Sequence, residues 1–211
     1  MIDIYDVMNV LAAQRSAYHS EADFQHAFAW EVHRRLPMAS VRLEKPILAN
    51  GQTLHLDFLI QTVECKVAVE LKYKTRKLLV EVDGEEFRLA DHGAQDFGRY
   101  DFIKDICRLE GIAANLQNCE GWAILLTNDS MYWRPSTNER TNDAAFRLSQ
   151  DRTLYGTLGW GANASDGTKR NREANLSVDG KYTLQWTDYA APSSGNYGQF
   201  RFLAVHVPKR V

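Results

Sequence analysis

Long apolar runs and a substantial set of cysteines are both missing from this sequence of 211 residues. No stretch approaches the roughly 18 consecutive apolar residues that identify a membrane-spanning helix, so the sequence predicts no membrane segment. Cysteine occurs only at Cys65, Cys107 and Cys119, a scattered and odd-numbered set that forms neither a disulfide framework nor a CxxC zinc pair. We therefore expect reduced thiols in a cytoplasmic protein.

An excess of charge of either sign is missing as well. The 25 Lys and Arg residues nearly balance the 27 Asp and Glu residues, which leaves a formal net charge of −2. Because no global basic surface indicates nucleic-acid binding, any phosphate-binding surface must be local. The opening residues, Met1–Asp6, carry acids where a signal peptide carries Lys or Arg, which argues against secretion.

What is present is a regular order of helical and strand patterns. Apolar residues at helical spacing predict three helices, with bounds at about Met1–Arg15, Ser20–Leu36 and Gln95–Glu110. Apolar runs predict strands at Val41–Leu48, Leu54–Ile60, Val67–Tyr73, Leu78–Val82, Glu85–Phe87 and Trp122–Thr127. Turns are predicted at Asn50-Gly51 and Asp83-Gly84. This order of helix, antiparallel strands, helix and strand predicts an α/β or α+β core.

The composition changes beyond Asn128, where loops rich in Gly, Asn and Ser separate short β runs. These runs lie at Thr153–Leu158, Tyr182–Trp186 and Phe200–Val207. We therefore predict a core at residues 1–135 and a β-rich C-terminal extension at residues 136–211 that packs on the core.

Two predicted strands carry the clearest chemical signal. Alternation along Leu54–Ile60 places the even-numbered apolar residues on one face and Asp57 on the other. In Val67–Tyr73 the odd positions are apolar, and Glu70 and Lys72 share the opposite face. If these strands are neighbours, the two carboxylates and the lysine converge on one face of one sheet.

A third carboxylate can join them from the second predicted helix. Glu21 falls at the centre of the apolar stripe formed by Phe24, Phe28 and Val32, so it is predicted to point toward the core. An acid in the first turn of a helix also has a purely structural explanation, because it interacts favourably with the helix dipole. Hard oxygen ligands of this kind suit Mg²⁺, and a nearby lysine can orient water or hold a phosphate oxygen.

These residues resemble those of the PD-(D/E)XK nuclease superfamily. The match consists of Glu21 on a helix, Asp57, and Glu70-Leu71-Lys72, and it covers about residues 15–127. The resemblance implies a restriction-endonuclease-like core, in which helices flank a mixed β-sheet. It also implies that Asp57 and Glu70 bind Mg²⁺, for which Mn²⁺ can substitute, that Glu21 supports the metal, and that Lys72 assists the attacking water.

The sequence departs from the family pattern at two points. Asp57 follows Leu56, whereas the first acid of the family often follows Pro. Some members carry a Q-x-x-x-Y motif on the next helix, and here Gln95 and Tyr100 are separated by one residue more. By this resemblance we predict that Gln95 and Tyr100 contact nucleic acid.

Basic residues near these acids are candidates for contact with a phosphate backbone. Residues 66–77 contain a cluster of lysine and arginine with Glu70 as their one acidic neighbour, and a second basic cluster lies in the loop Gly159–Asn175. We predict phosphate contacts at Lys74, Arg76, Lys77, Lys169, Arg170 and Arg172. A solvated hairpin and a plain exposed loop explain the same charges.

A set of charged residues on the third predicted helix favours a solvated face instead of a functional one. This set consists of Asp101, Lys104, Asp105 and Arg108.

The sequence therefore predicts a Mg²⁺-dependent nuclease, with DNA as the expected substrate and a homodimer as one compatible assembly. One alternative is a catalytically degenerate nuclease fold that binds nucleic acid or a protein partner. Another is a structural or interaction protein whose working surface is formed by residues 136–211.

Overall fold

The structure is a computed structural model that describes residues 2–49, 52–138 and 140–210, so the predicted Asn50-Gly51 turn lies outside the described residues. The helices are α1 (Ile4–Gln14), α2 (Glu21–Arg35), α3 (Gln95–Asn115) and α4 (Asp166–Lys169), with a 3₁₀ turn at Ala144–Phe146. The strands are β1 (Ser40–Ala49), β2 (Gln52–Gln61), β3 (Lys66–Lys74), β4 (Leu78–Val82), β5 (Glu85–Leu89), β6 (Cys119–Thr127), β7 (Thr153–Leu158), β8 (Leu176–Thr183), β9 (Trp186–Ala190) and β10 (Phe200–Val207). None of these helices is long and apolar enough to cross a bilayer.

Six strands form one mixed sheet in the order β1-β2-β3-β6-β10-β9. Neighbouring strands are antiparallel except for β3 and β6, which run parallel. Parallel neighbours need a long crossover, and α3 lies in the connection between these two strands. β4 with β5, and β7 with β8, form two further antiparallel pairs. The protein is thus a mixed α+β structure, as the order of predicted elements indicates.

The sheet lies between two hydrophobic layers. On one face, residues of α1 and α2 pack with β3 and β5 in a cluster that contains Val7, Phe28 and Leu71. On the other face, α3 and the β7–β8 pair form a second cluster that contains Ile106 and Leu109. Because β3 lies inside the sheet with both faces covered, its alternate side chains enter different layers.

Local signals and packing together set the helix bounds. Ser20 caps α2 as predicted, because its side chain accepts a hydrogen bond from the amide of Asp23. The predicted end of α3 before Gly111 is wrong, since the helix continues to Asn115. Burial of Ile112 in the last turn accounts for this, because it offsets the cost of about 1 kcal/mol that glycine brings to a helix interior.

The predicted C-terminal extension contributes strands to the main sheet. β10 pairs with β6 over Arg201–Val207, and β9 pairs with β10. The single strand predicted at Tyr182–Trp186 is wrong, because Leu184 leaves the ladder and exchanges backbone hydrogen bonds with residues 151–152. The domain boundary at residue 135 stays a prediction, since strand pairing alone does not define a folding unit.

One irregularity in β2 affects the side chains beside the predicted site. Phe58 and Ile60 pack in the cluster with α1 and α2, as predicted, whereas Leu56 packs in the cluster with α3. The predicted alternation is therefore wrong at Leu56. Opposite this point on β1, the backbone of Glu44 is left-handed, with φ 48°. A residue in this conformation interrupts the regular pleat of a strand pair.

Candidate functional site

The candidate site lies where β2 separates from β3. The two strands pair only between Phe58–Gln61 and Lys66–Val69, although β3 continues to Lys74. On its other side β3 pairs with β6 along its full length. From Glu70 onward, the β3 amides that face the gap therefore need acceptors other than β2.

Two of the predicted acids supply these acceptors. The amide of Leu71 donates to Asp57 Oδ2 at 2.7 Å, and the amide of Tyr73 donates to Glu21 Oε2 at 2.8 Å. Asp57 reaches the gap from β2, whereas Glu21 reaches it from the first turn of α2. Each carboxylate uses one oxygen in this way. The gap between β2 and β3 is therefore bordered by Asp57 on the β2 side and by Glu21 on the α2 side.

Glu70 and Lys72 lie on the α3 face of β3, because the odd-numbered side chains of this strand occupy the opposite layer, as predicted. Glu70 is 2% exposed. Its Oε1 lies 3.0 Å from Arg108 Nη2, yet it makes no hydrogen bond of acceptable geometry. Lys72 Nζ lies 3.0 Å from Asp105 Oδ2.

Asp105 and Arg108 of α3 complete the cluster, and the prediction of a solvated helix face is wrong for both. Asp105 is 4% exposed and Arg108 is half-buried. The sequence does contain a signal for the burial of Asp105. It lies three residues after Phe102 and four before Leu109, both of which are buried. This spacing puts Asp105 on the core-facing side of the helix.

The charges of this cluster shift the pKa values of its members. Burial, together with the charges of Asp105 and Asp57, raises the pKa of Glu70 to about 9, and Arg108 and Lys72 offset this only in part. Burial also raises the pKa of Asp57, although the Leu71 amide and Lys72 oppose the shift.

Lys72 shows the opposite balance. Burial lowers its pKa, but the carboxylates of Asp105, Asp57 and Glu21 outweigh burial, and the net effect raises the pKa above its ordinary value. Lys72 is therefore a fixed positive charge at neutral pH. These mutual effects show that Glu21, Asp57, Glu70 and Lys72, which are distant in sequence, lie within electrostatic range of one another.

The acids fit a cation held by few protein ligands. Within the described ranges, no group of three or more His, Cys, Asp or Glu side chains has the arrangement of a metal centre. Mg²⁺ needs only one or two carboxylates, since it keeps several waters and binds substrate phosphate. Asp57 and Glu70 can serve as such a pair, because Oε1 of Glu70 accepts no hydrogen bond and the raised pKa shows that Arg108 and Lys72 offset its burial and neighbouring acids only in part.

Some of the predicted phosphate-binding residues border two cavities next to this cluster. The cavities, of about 400 and 250 Å³, share Lys74 and His92. Glu21 lines the larger cavity, and Arg172 lines the smaller. Arg172 is also paired with Asp101, at 2.6 and 2.8 Å.

The other predicted contacts are dispersed. Lys77 and Arg170 are exposed, and Lys169 is paired with Asp166 at 3.7 Å. Arg76 lies 3.1 Å from a carboxylate oxygen of Asp91.

Gln95 and Tyr100, which were predicted to bind nucleic acid from an imperfect Q-x-x-x-Y motif, both make hydrogen bonds within the protein. Gln95 donates to Asp129 at 2.8 Å. Tyr100 is 2% exposed, donates to the carbonyl of Ala174, and packs against Phe146, so it belongs to the core in this structure.

Comparisons of this chain with protein-family models, curated proteins and solved structures find no match.

Proposed function

We propose that this protein is a metal-dependent nuclease that hydrolyses phosphodiester bonds in DNA, with a restriction-endonuclease-like core. The observation that carries the proposal is the state of Glu70, a buried acid crowded by Asp57 and Asp105 and placed beside a charged lysine. Like charges at such proximity raise the free energy of the ionised form. A divalent cation bound by Asp57 and Glu70 would relieve this repulsion.

In this proposal the protein fixes the charges before the substrate arrives. Mg²⁺ bound by Asp57 and Glu70 would lower the pKa of a water molecule and neutralise charge on the phosphate under attack. The Leu71 amide orients Asp57, because it holds one carboxylate oxygen at 2.7 Å and leaves the other for a ligand. Glu21 is oriented in the same way by Tyr73.

Lys72 would hold a phosphate oxygen or orient the attacking water. Its raised pKa excludes it as a proton acceptor at neutral pH, since it already carries its proton. Asp105 is a positioning residue, because its carboxylate holds Lys72 Nζ at 3.0 Å on the α3 face of the sheet. Lys74, one alternate position further along β3, would extend the positive surface toward an approaching backbone.

The test is cleavage of supercoiled plasmid and linear DNA in the presence of Mg²⁺ or Mn²⁺. We expect nicking that requires metal and that falls at least about 100-fold in Asp57→Ala and in Lys72→Ala, the loss typical of a misplaced catalytic charge. Glu81→Ala and Lys181→Ala are matched controls, because both residues are exposed and lie outside the cluster. Full cleavage by both Asp57→Ala and Lys72→Ala would overturn the proposal.

A second candidate function is a nucleic-acid- or protein-binding module with this fold and no activity. The ion pairs Lys72–Asp105 and Glu70–Arg108 favour it, because they neutralise part of the cluster without metal. Calorimetric titration with Mg²⁺ and Mn²⁺ separates the two functions. Heat of binding that disappears in Asp57→Ala supports the nuclease, whereas no binding by the folded protein supports the module.

A further inference from the structure

A third cavity, of about 390 Å³, opens beyond the carboxyl end of β6, apart from the carboxylate cluster. One side is formed by residues that follow β6, including Asn128, Trp133 and Arg134, and the other by the loop 195–199 that precedes β10. No carboxylate lines this cavity, and within the described ranges Arg134 is absent from the ion pairs that arginines make with acids. A neutral or anionic ligand is therefore favoured over a cation.

Aromatic rings and hydrogen-bonding groups meet in this cavity. Tyr197 is 41% exposed, and the guanidinium of Arg76 lies 5.1 Å from its ring centroid. Trp133 is 8% exposed, and its ring lies 5.8 Å from the guanidinium of Arg201. Gln199 adds an amide that donates one N–H to Asp188 at 3.2 Å, which leaves its oxygen and its second N–H for a ligand. Such a combination suits a planar ring with a polar edge, because aromatic side chains bind its face and amides bind its edge.

The cavity is held in shape before any ligand binds. The side chain of Asn128, which is 1% exposed, donates to the carbonyl of Tyr197 at 2.9 Å and accepts from the amide of Arg76 at 2.7 Å. Tyr197 has a left-handed backbone, with φ 61°, a conformation that costs a non-glycine residue free energy. At Gly198 a Cβ atom would lie 1.9 Å from the carbonyl oxygen of Ser193, so the loop allows no side chain there.

The same contacts connect the cavity to the candidate active site. Arg76 lies two residues beyond the end of β3 and four after Lys72, which limits their separation to roughly 13 Å at the rise of an extended chain. Asn128 joins Arg76 to Tyr197, so the loop is attached to the end of the strand that carries Glu70 and Lys72. A DNA strand that reaches the carboxylates can therefore extend to this cavity within a few nucleotides.

We propose that this cavity binds one unpaired nucleotide of the DNA strand, with the base against Tyr197 and its phosphate at Arg134. The proposal rests on the proposed nuclease function for the identity of the strand. A nucleotide bound in this cavity would be a second contact between the protein and the DNA, at a fixed distance from the bond that is cut. The protein would therefore prefer substrates that have an unpaired segment beside the cleavage position.

The test is binding of a fluorescein-labelled, single-stranded DNA 12-mer of mixed sequence, followed by fluorescence anisotropy in EDTA so that cleavage cannot occur. The parent protein should bind, and Tyr197→Ala should weaken binding at least about fivefold, the lower end of the effect expected for a lost stacking partner. Tyr155→Ala is the matched control, since Tyr155 is 62% exposed on β7 and should leave binding unchanged. Gln199→Ala is a second variant of the cavity, and it leaves Tyr197 with its left-handed backbone unchanged.

The outcomes separate the two proposals. Loss of binding in Tyr197→Ala and Gln199→Ala, with thermal unfolding like that of the parent, supports the cavity even if no DNA is cleaved. Absence of binding by the parent, or equal binding by the parent and both cavity variants, overturns it even if plasmid cleavage depends on Asp57. A duplex of the same sequence that binds as tightly as the single strand and is equally weakened by Tyr197→Ala also overturns the requirement for an unpaired nucleotide.

Discussion

At the scale of single residues, Glu31 and Glu70 are both 2% exposed, yet their pKa values are shifted in opposite directions. Hydrogen bonds from Arg34 and Arg35 lower the pKa of Glu31, and they outweigh its burial. At Glu70, burial and the charges of Asp105 and Asp57 outweigh those of Arg108 and Lys72, so its pKa rises to about 9. Residue type and burial alone therefore do not define a functional acid, because the neighbouring charges decide its protonation at neutral pH.

This contrast predicts a pH-dependent stability difference. The pKa of Glu70 in the folded protein lies well above its ordinary value of 4.5, so between about pH 4.5 and pH 9 the folded state holds a proton that the unfolded state has lost. The stability contributed by this proton is complete below about pH 4.5 and is lost as the pH rises through about 9. Glu70→Gln cannot ionise and should gain about 1 kcal/mol or more over the parent between pH 6 and pH 9, measured by chemical denaturation in EDTA.

Glu31→Gln is the matched control for this measurement. The lowered pKa of Glu31 means that its contribution is present above its unfolded pKa and is lost as the pH falls through the folded one. The variant should therefore be less stable than the parent at pH 7 and approach it in acid. A loss of stability by Glu70→Gln relative to the parent at pH 9 would contradict the assigned state of Glu70.

At the scale of elements, the separation of β2 from β3 creates the candidate site. Alternation along each strand predicts that Asp57 and Glu70 share a face, but the pairing of β2 with β3 ends at Phe58 and Val69, and Asp57 instead binds the Leu71 amide in the gap between the strands. The point at which pairing stops cannot be predicted in this way, since it depends on how α2 brings Glu21 to the amide of Tyr73. The hairpin turn at Asp83-Gly84 is confirmed, with φ of 52° and 81°, because its signal is local.

The extended C-terminal half of α3 predicts a stabilising substitution. Gly111 lies inside the helix, and a Cβ atom added there would meet nothing within 4 Å. Gly111→Ala should therefore raise the free energy of unfolding by about 0.5 to 1 kcal/mol, because alanine has the higher helix propensity. Urea denaturation measures this change.

Gly121→Ala provides the opposite case, because its Cβ atom would lie 2.9 Å from Leu109 Cβ in the layer between β6 and α3. We expect it to destabilise the protein. Equal effects of the two substitutions would contradict the packing described for α3.

At the scale of the whole molecule, the two parts predicted from composition are joined through the sheet. β10 lies between β6 and β9, so it covers the edge of β6 that the core alone would expose. Leu203 and Val205 of β10 enter the same cluster as Ile106 of α3. The stability of the candidate site therefore depends on residues that come after the predicted boundary.

This dependence can be tested with the fragment of residues 1–135. We expect the fragment to lack a cooperative thermal transition by circular dichroism, because removal of β10 exposes a long buried strand edge and the apolar residues that pack on it. The full chain is the control and should unfold cooperatively. A fragment that unfolds cooperatively would support the boundary at residue 135 and would show that β10 is dispensable for the core.

The sequence by itself determined α1, α2, the start of α3 and most strands, the shared face of Glu70 and Lys72, and the inward direction of Glu21. These features follow from periodicity, capping and turn residues, which act over a few positions along the chain. Only the tertiary structure decided that Asp105 and Arg108 join the cluster, that Tyr100 is in the core, and that β10 completes the sheet. Each of these depends on contacts between distant segments, and the energy of a buried charge is set by whichever segment packs against it.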